Sequence, residues 1–352
     1  AKGTMETAGR PLCNVARAAT GCFRRRAISV DLSVSFIRCS WIRGQSDTIH
    51  RISTVNHYLM IAVSLLTLLT ANNHALQLFS HFRLQYFVVA ILLTILFVVL
   101  RDRRYAVLLF ATAFINGAHV LPWYFDEPYD TGGRGLKLLN ANVLSTSAEY
   151  DKLFALVDRE QPDVIVLQEI SPAWAEQLER LEAQYPYRVV EARDGNFGIA
   201  LLSRFPLASA ATVDSEPLGF PTIVATIDVG GRALQLVPTH PMIPLGRRNF
   251  DDRNEQLVSV ANLLRRTTGP RVLVGDLNTS LWDVNYKYLE AWTGLRNARR
   301  GFGVVPTWPT FFPFAMIPID HILVSDQVGV TDVRTGPGIG SDHLPLIAAL
   351  TL

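Results

Sequence analysis

The chain has 352 residues, 49% of them hydrophobic, a net charge of +2 and three cysteines, Cys13, Cys22 and Cys39. Because all three precede residue 40, a disulfide framework and a thiolate metal site are excluded downstream. The charge is divided: residues 1–57 hold nine Lys/Arg against three Asp/Glu (+6), residues 134–352 twenty against twenty-four (−4). An acidic C-terminal part disfavours gripping duplex nucleic acid through its phosphates.

Residues 1–57 are rich in arginine and lack hydrophobic periodicity. Arg24-Arg25-Arg26 resembles the basic start of a targeting signal, but no cleavable apolar segment follows it. The stretch is expected to be a disordered cytoplasmic tail, or to lie ahead of a true start near Met60. Residues 58–125 contain three apolar segments, 58–71, 86–100 and 105–125. A membrane helix needs about 20 apolar residues; the third segment has them, and the first two borrow flanking residues such as 76–79 and 82–84. The second is apolar on all faces, unlike an ordinary core helix. Three membrane spans are predicted. Lys/Arg before the first span and at 101–104 place both on the cytoplasmic side. The chain is then a multi-pass protein of the cell membrane, with everything after Phe125 extracytoplasmic. Asn116 and His119 in the third span are either functional or face the interface or a neighbouring helix.

Residues 126–135, with a proline, three acidic residues and adjacent glycines, read as a linker. From 136 the texture changes. Strands are predicted at 136–139, 163–167, 199–203, 223–227, 234–237, 272–274, 319–324 and 346–350, and helices at 147–160, 173–185 and 253–266. Strands interleaved with amphipathic helices over 136–352 make one α/β domain.

Polar residues cluster where these strands end. Val272-Leu273-Val274 is a short buried strand broken by Gly275, and Asp276 and Asn278 follow two positions apart. An extended backbone would point both the same way, a carboxylate for a hard metal or a water and an amide for an oxygen. Glu169 and His240 also lie just past apolar runs, and Asp342-His343 just before one. Strand ends packed side by side gather such residues at one rim of a sheet. Asp320 lies inside an alternating strand, where a buried carboxylate needs a partner that His343 can provide. Taken singly, each has a plainer reading: a solvated acid, a packed histidine, an ordinary turn.

Together, Leu139-Asn140-Ala141-Asn142, Leu167-Gln168-Glu169, Thr239-His240, Gly275-Asp276-Leu277-Asn278, Ile319-Asp320-His321 and Ser341-Asp342-His343 resemble, in order, the motifs of the endonuclease/exonuclease/phosphatase superfamily. The apolar segments, Arg253-Asn254 and Pro306-Thr307-Trp308-Pro309 are similar to a membrane-anchored bacterial branch grouped with a vancomycin/teicoplanin-resistance-associated protein. The resemblance implies a four-layer α/β/β/α sandwich of the DNase I type and a phosphoesterase dependent on Mg²⁺ or Mn²⁺. It implies that Glu169 and Asn142 hold the metal with Asp342 beside it, that Asp276 orients or deprotonates the attacking water, and that Asn278 binds a phosphate oxygen. His343, held by Asp320, contacts the phosphate or moves a proton, and His240 is an acid or phosphate ligand. Asn140 competes with Asn142 for its role. The expected partners are a phosphate ester (lipid-linked, small-molecule or nucleic acid) and the bilayer; no feature calls for a protein partner. A non-catalytic membrane sensor of a phosphorylated ligand and a DNA-processing nuclease are the alternatives. Phe302, Trp308, Phe311, Phe312 and Phe314 form an aromatic-rich loop that serves either as core or as a contact to lipid or substrate.

Overall fold

The computed structural model describes residues 74–352. It begins with a short helix, His74–Ser80 (α1), followed by two long ones, Arg83–Val99 (α2) and Arg103–Val120 (α3). Asp102 caps α3 by accepting from the Arg104 N–H, and the tight connection folds α2 and α3 into a hairpin. The predicted span 58–71 lies outside the described residues. Among those described, no single helix is long and apolar enough to cross a membrane; α1 and α2 reach that measure only as a pair bent by 56°. The stretch 105–125 is not one continuous rod. Its helix ends at Val120, a single turn Pro122–Phe125 follows, and Thr112, Ala113, Asn116, Gly117 and Val120 form a buried face. The outer faces of the hairpin remain strongly apolar: Val88, Leu92, Ile95, Val99, Val107, Phe110 and Phe114 are all exposed.

The strands in chain order are Gly135–Asn142 (β1), Val164–Gln168 (β2), Tyr187–Glu191 (β3), Ile199–Ser203 (β4), Leu207–Ser215 (β5), Phe220–Asp228 (β6), Ala233–Pro238 (β7), Arg271–Asp276 (β8), Arg296–Asn297 (β9), Asp320–Val324 (β10), Gly329–Thr335 (β11) and Leu346–Thr351 (β12). They form two six-stranded mixed sheets, ordered β11-β12-β1-β2-β4-β3 and β5-β6-β7-β8-β10-β9. Each sheet has one parallel pair, β1 with β2 and β7 with β8. Parallel neighbours need a crossover. Helix Tyr150–Glu160 (α4) supplies the first and Gly246–Arg265 (α5) the second.

Period-two alternation builds the layers. Leu138, Val164, Val166, Val272, Val274, Ile322 and Val324 point between the sheets and share one core with residues of β4, β6, β7 and β12. Their neighbours Leu139, Ile165, Leu167 and Ile347 face outward against α4 and helix Pro172–Leu178. Leu273 and Leu323 face outward on the other side, against α5 and helix Val284–Thr293 (α6). The order helix, sheet, sheet, helix is a sandwich of the DNase I type.

The hairpin is built into this sandwich rather than trailing from it. Val120 and Trp123 belong to the outer core under α5 and α6, and Leu84 and Phe87 pack on it. The Trp282 Nε1–H donates to the His119 carbonyl at 3.0 Å, and the Gln85 amide to the Met316 carbonyl at 2.7 Å. The expected linker 126–135 is likewise stitched down: Tyr129 bridges to Val330, and Arg134 and Leu352 exchange backbone hydrogen bonds of 3.0 and 3.1 Å.

Candidate active site

The alternation that builds the core also loads one rim of it. On β8, Val272 and Val274 point between the sheets, so Asp276, two residues on, does too. Strand β10 runs antiparallel to β8 with Asp320 opposite Asp276, which puts a second carboxylate on the same side. On β1 and β2 the same count places Asn140, Asn142 and Gln168 inward behind Leu138 and Val166. Gly275 is required by the close approach of β7: at φ +148° its backbone passes Thr239, and a Cβ there would lie 1.9 Å from the Thr239 carbonyl oxygen.

Asp276 is the hub. Its Oδ2 accepts from the Asn142 amide at 3.3 Å and lies 3.5 Å from His240 Nε2 and 3.6 Å from His343 Nε2. Its Oδ1 accepts from the Asn278 N–H at 2.9 Å. That bond corrects the expectation of an extended backbone through Asn278. The strand ends at Asp276, and Asn278 sits at φ +49°, in the left-handed region that asparagine tolerates. Its amide then reaches His240 Nε2 at 3.3 Å and donates to the Pro241 carbonyl at 3.1 Å. Glu169 also has positive φ, +63°, a backbone conformation that is costly for a non-glycine residue.

On the other side of Asp276, the Asn142 amide donates to Glu169 Oε1 at 3.0 Å while the Ser145 N–H donates to Oε2 at 3.0 Å. Asn140 lies one step deeper and accepts from the Gln168 amide at 2.9 Å. Of the two asparagines, Asn142 is the one at the carboxylates. His343 Nδ1 and Asp320 Oδ2 are 2.9 Å apart. Asp342 accepts from the Trp308 indole at 2.9 Å. All eight sequence-predicted residues thus gather at one end of the inter-sheet core. Asn142, Glu169, His240, Asp276, Asn278, Asp320 and His343 are buried, and Asp342 is half-buried.

The electrostatics follow from three carboxylates around one imidazole. Burial alone would lower the pKa of His343, but Asp320, Asp276 and Asp342 outweigh it and push it up to about 10. Burial likewise opposes ionisation of Asp276, and the charge of His343, the hydrogen bond and charge of His240 and the Asn278 N–H reverse this, taking Asp276 well below the usual carboxylate range. The pair is an imidazolium between carboxylates at neutral pH.

Two donor sets suit a divalent cation. Asp276, Asp320 and His343 offer ligand atoms within 4.8 Å of one another. In that set, however, both nitrogens of His343 already face carboxylates, Nδ1 toward Asp320 and Nε2 toward Asp276. The second is Glu169, whose carboxylate oxygens are the chemistry preferred by Mg²⁺ and Mn²⁺. Asn142 turns its NH2 toward Glu169 and Asp276 while its Oδ1 accepts from the Leu144 N–H at 3.1 Å, so its amide would have to turn over to add an oxygen ligand.

Glu169, Asp276, Asn278, Asp342 and His343 open into a cleft of about 360 Å³ whose other walls are mostly apolar, Leu144, Ile243, Pro244, Leu245, Trp308, Ile317 and Ile319. Two wall residues, Leu78 and His81, come from the segment around α1, and a third, Asn196, accepts from Ser145 Oγ at 2.8 Å. Sequence reading missed these: Leu78 and His81 sit in a stretch whose apolar neighbours resemble membrane helix. A groove of about 370 Å³ between α5 and α6 is lined without any carboxylate or imidazole.

The model of the endonuclease/exonuclease/phosphatase family matches residues 132–343. No curated protein matches the chain. Among solved structures, an endonuclease/exonuclease/phosphatase from Beutenbergia cavernae is 22% identical with a TM-score of 0.53, covering 62% of this chain and 72% of its own. TDP2 from D. rerio, complexed with a single-strand DNA product, is 17% identical with a TM-score of 0.54, covering 62% of this chain and 99% of its own. An endonuclease/exonuclease/phosphatase from Bacteroides vulgatus is 18% identical with a TM-score of 0.53 and the same two coverages as TDP2. These likenesses establish the fold. The match to the family model over most of the chain, with the motif residues converging on one cleft, establishes more: this chain belongs to the endonuclease/exonuclease/phosphatase family of hydrolases.

Proposed function

We propose that the chain is a membrane-anchored, extracytoplasmic phosphoesterase dependent on a divalent metal, and that its substrate is an amphiphilic, lipid-linked phosphate ester. The observation that carries the catalytic part is Asp276, buried and ionised, touched by Asn142 and the Asn278 N–H and flanked by His240 and His343. Glu169, and Asn142 once its amide oxygen is turned toward that carboxylate, would hold Mg²⁺ or Mn²⁺, with Asp342 nearby. The cation when bound supplies Lewis-acid polarisation of the phosphoryl group. Asp276 orients the attacking water and accepts its proton. Asn278, His240 and the His343 imidazolium donate to phosphoryl oxygens, where charge builds in the transition state.

The membrane part rests on the uncovered apolar faces of α2 and α3 and on Lys/Arg placement. The lipid part rests on the apolar cleft walls and on the aromatic loop. Phe302 packs against the inter-sheet core and Trp308 lines the cleft. Phe311, Phe312 and Phe314 are instead 75%, 54% and 84% exposed, on a loop that Gln85 ties to the start of α2. Exposed aromatics beside an apolar hairpin are suited to enter a lipid surface.

The first test is turnover by the full chain in detergent. It should hydrolyse bis-p-nitrophenyl phosphate with Mg²⁺ or Mn²⁺ and stop when a chelator removes the metal; chelator-resistant turnover, or none, would sink the reading. The second separates lipid from soluble substrate. Changing Phe311, Phe312 and Phe314 together to Ser should slow hydrolysis of a phosphorylated lipid in vesicles about tenfold or more, since each buried phenyl is worth about 1.5–3 kcal/mol. The rate on the soluble diester should stay unchanged. Equal loss on both substrates would show that the loop does not serve the membrane.

A further inference from the structure

We propose that His81, carried by the helical segment ahead of the family-matched stretch 132–343, is a phosphate-binding residue of the cleft. The inference rests on the cleft being the phosphate site, as argued above, but on none of the roles given to the metal-binding side.

His81 lies in the bend between α1 and α2, where the chain turns by 56°. The bend brings its ring onto the loop that follows Asn278: Nδ1 is 2.7 Å from the Ser280 hydroxyl. The residue is 6% exposed and lines the cleft together with Glu169, Asp276, Asn278 and His343. Nδ1 being engaged, Nε2 is the ring's one remaining polar atom. Ser280 Oγ has no other partner among the described residues, so its proton is free to go to Nδ1. That selects the tautomer with a proton on Nε2, a donor suited to an anionic oxygen.

The alternative is that His81 only pins the helical arm to the 276–283 loop. The two roles use different nitrogens, and amide side chains tell them apart. An asparagine amide reaches about where Nδ1 sits, and a glutamine amide about where Nε2 sits. His81→Asn therefore keeps the Ser280 contact and loses the donor to the ligand; His81→Gln does the reverse.

The test measures binding of inorganic phosphate to the full chain in detergent by titration calorimetry, and its competitive inhibition of bis-p-nitrophenyl phosphate hydrolysis. His81→Ala and His81→Asn should weaken phosphate binding about tenfold or more, the worth of one hydrogen bond to a charged group. In hydrolysis KM should rise more than kcat falls. His81→Gln should keep most of the affinity, and although Ala and Gln lose the Ser280 bond and should melt lower than Asn, all three should remain folded at the temperature of the titration. Overturning results are undiminished phosphate binding by His81→Ala, restoration by Asn instead of Gln, or no phosphate binding by the parent chain. If the parent binds phosphate yet hydrolyses nothing, the phosphoesterase reading fails, and the His81 assignment is still decided by the binding series.

Discussion

Replacing His343 with alanine should slow metal-dependent diester hydrolysis by about 10²- to 10⁴-fold, the usual worth of a positioned proton-bearing group, while the domain stays folded. The reason is geometric. His343 Nε2 is 3.6 Å from Asp276, and its Nδ1 is held 2.9 Å from Asp320. The ring bridges the residue assigned to activate water and a buried carboxylate whose other oxygen, Oδ1, has no hydrogen-bond partner among the described residues. Removing the ring leaves both acids without their counter-charge. Asp276→Asn should cost a similar factor for a different reason: it preserves the shape and removes the base. The pH dependence gives the sign. A histidine whose folded pKa is raised from 6.5 to about 10 contributes fully below 6.5, and its contribution fades as pH rises through about 10. Activity that needs the imidazolium should fall on that alkaline side. Asp320→Asn takes away the largest of the three carboxylate contributions, so the fall should move toward neutral pH. A pH profile of kcat/KM for parent and Asp320→Asn checks this. An unmoved alkaline limb, or a His343→Ala variant as active as the parent, would remove the pair from the mechanism.

Which parts of this were legible in the chain follows from burial. Strands β2, β4, β8 and β12 are buried nearly throughout and read as unbroken aliphatic runs. The residues that cap them, Glu169 and Asp276, were legible for the same reason. Strands β5 and β11 were not. They lie at sheet edges with most residues exposed or half-buried, and Leu-Ala-Ser-Ala-Ala-Thr-Val-Asp-Ser has no apolar alternation to reveal it. Helix α6 was missed although Asp283 caps its start and Gly294, at φ +70°, ends it. Its apolar residues serve a face shared with α5, which no local pattern announces. Asn278 was placed correctly for a wrong reason: a left-handed turn, not strand alternation, points it at His240. His81 carries no local signal, because its neighbours in sequence are apolar while its neighbour in space is Ser280, on the loop that follows Asn278.

Arg253→Met should destabilise the chain by about 3–5 kcal/mol, the cost of removing one partner from a buried ion pair. Arg253, on α5, is fully buried. One of its guanidinium nitrogens donates to the Asn278 carbonyl at 2.9 Å and another to Asp283 Oδ2 at 3.1 Å. Asp283 meanwhile caps α6 by accepting from the Asn285 N–H at 2.7 Å. One side chain therefore ties a crossover helix, the loop bearing Asn278 and the start of the next helix. The substitution leaves the buried Asp283 without its guanidinium partner. Burial, which resists its ionisation, is at present outweighed by Arg253, His81 and its hydrogen bonds, so its pKa sits below 3.8. A depressed carboxyl contributes stability above its unfolded pKa and loses it as pH falls through the folded one. In Arg253→Met the same carboxyl gains a proton at higher pH, which relieves the stranded charge. The stability gap between parent and variant should thus be widest near neutral pH and narrow toward pH 4. Adding Asp283→Asn to Arg253→Met should recover part of the loss, because no charge is then left unpaired. Urea unfolding of the four proteins of this cycle, at neutral and acid pH, measures it; additive losses at both pH values would show that the pair is not a coupled tie. Activity adds a separate readout. If Arg253 sets the Asn278 turn, Arg253→Met should lower kcat even where the chain is fully folded, whereas a purely structural strut would leave kcat per folded molecule intact.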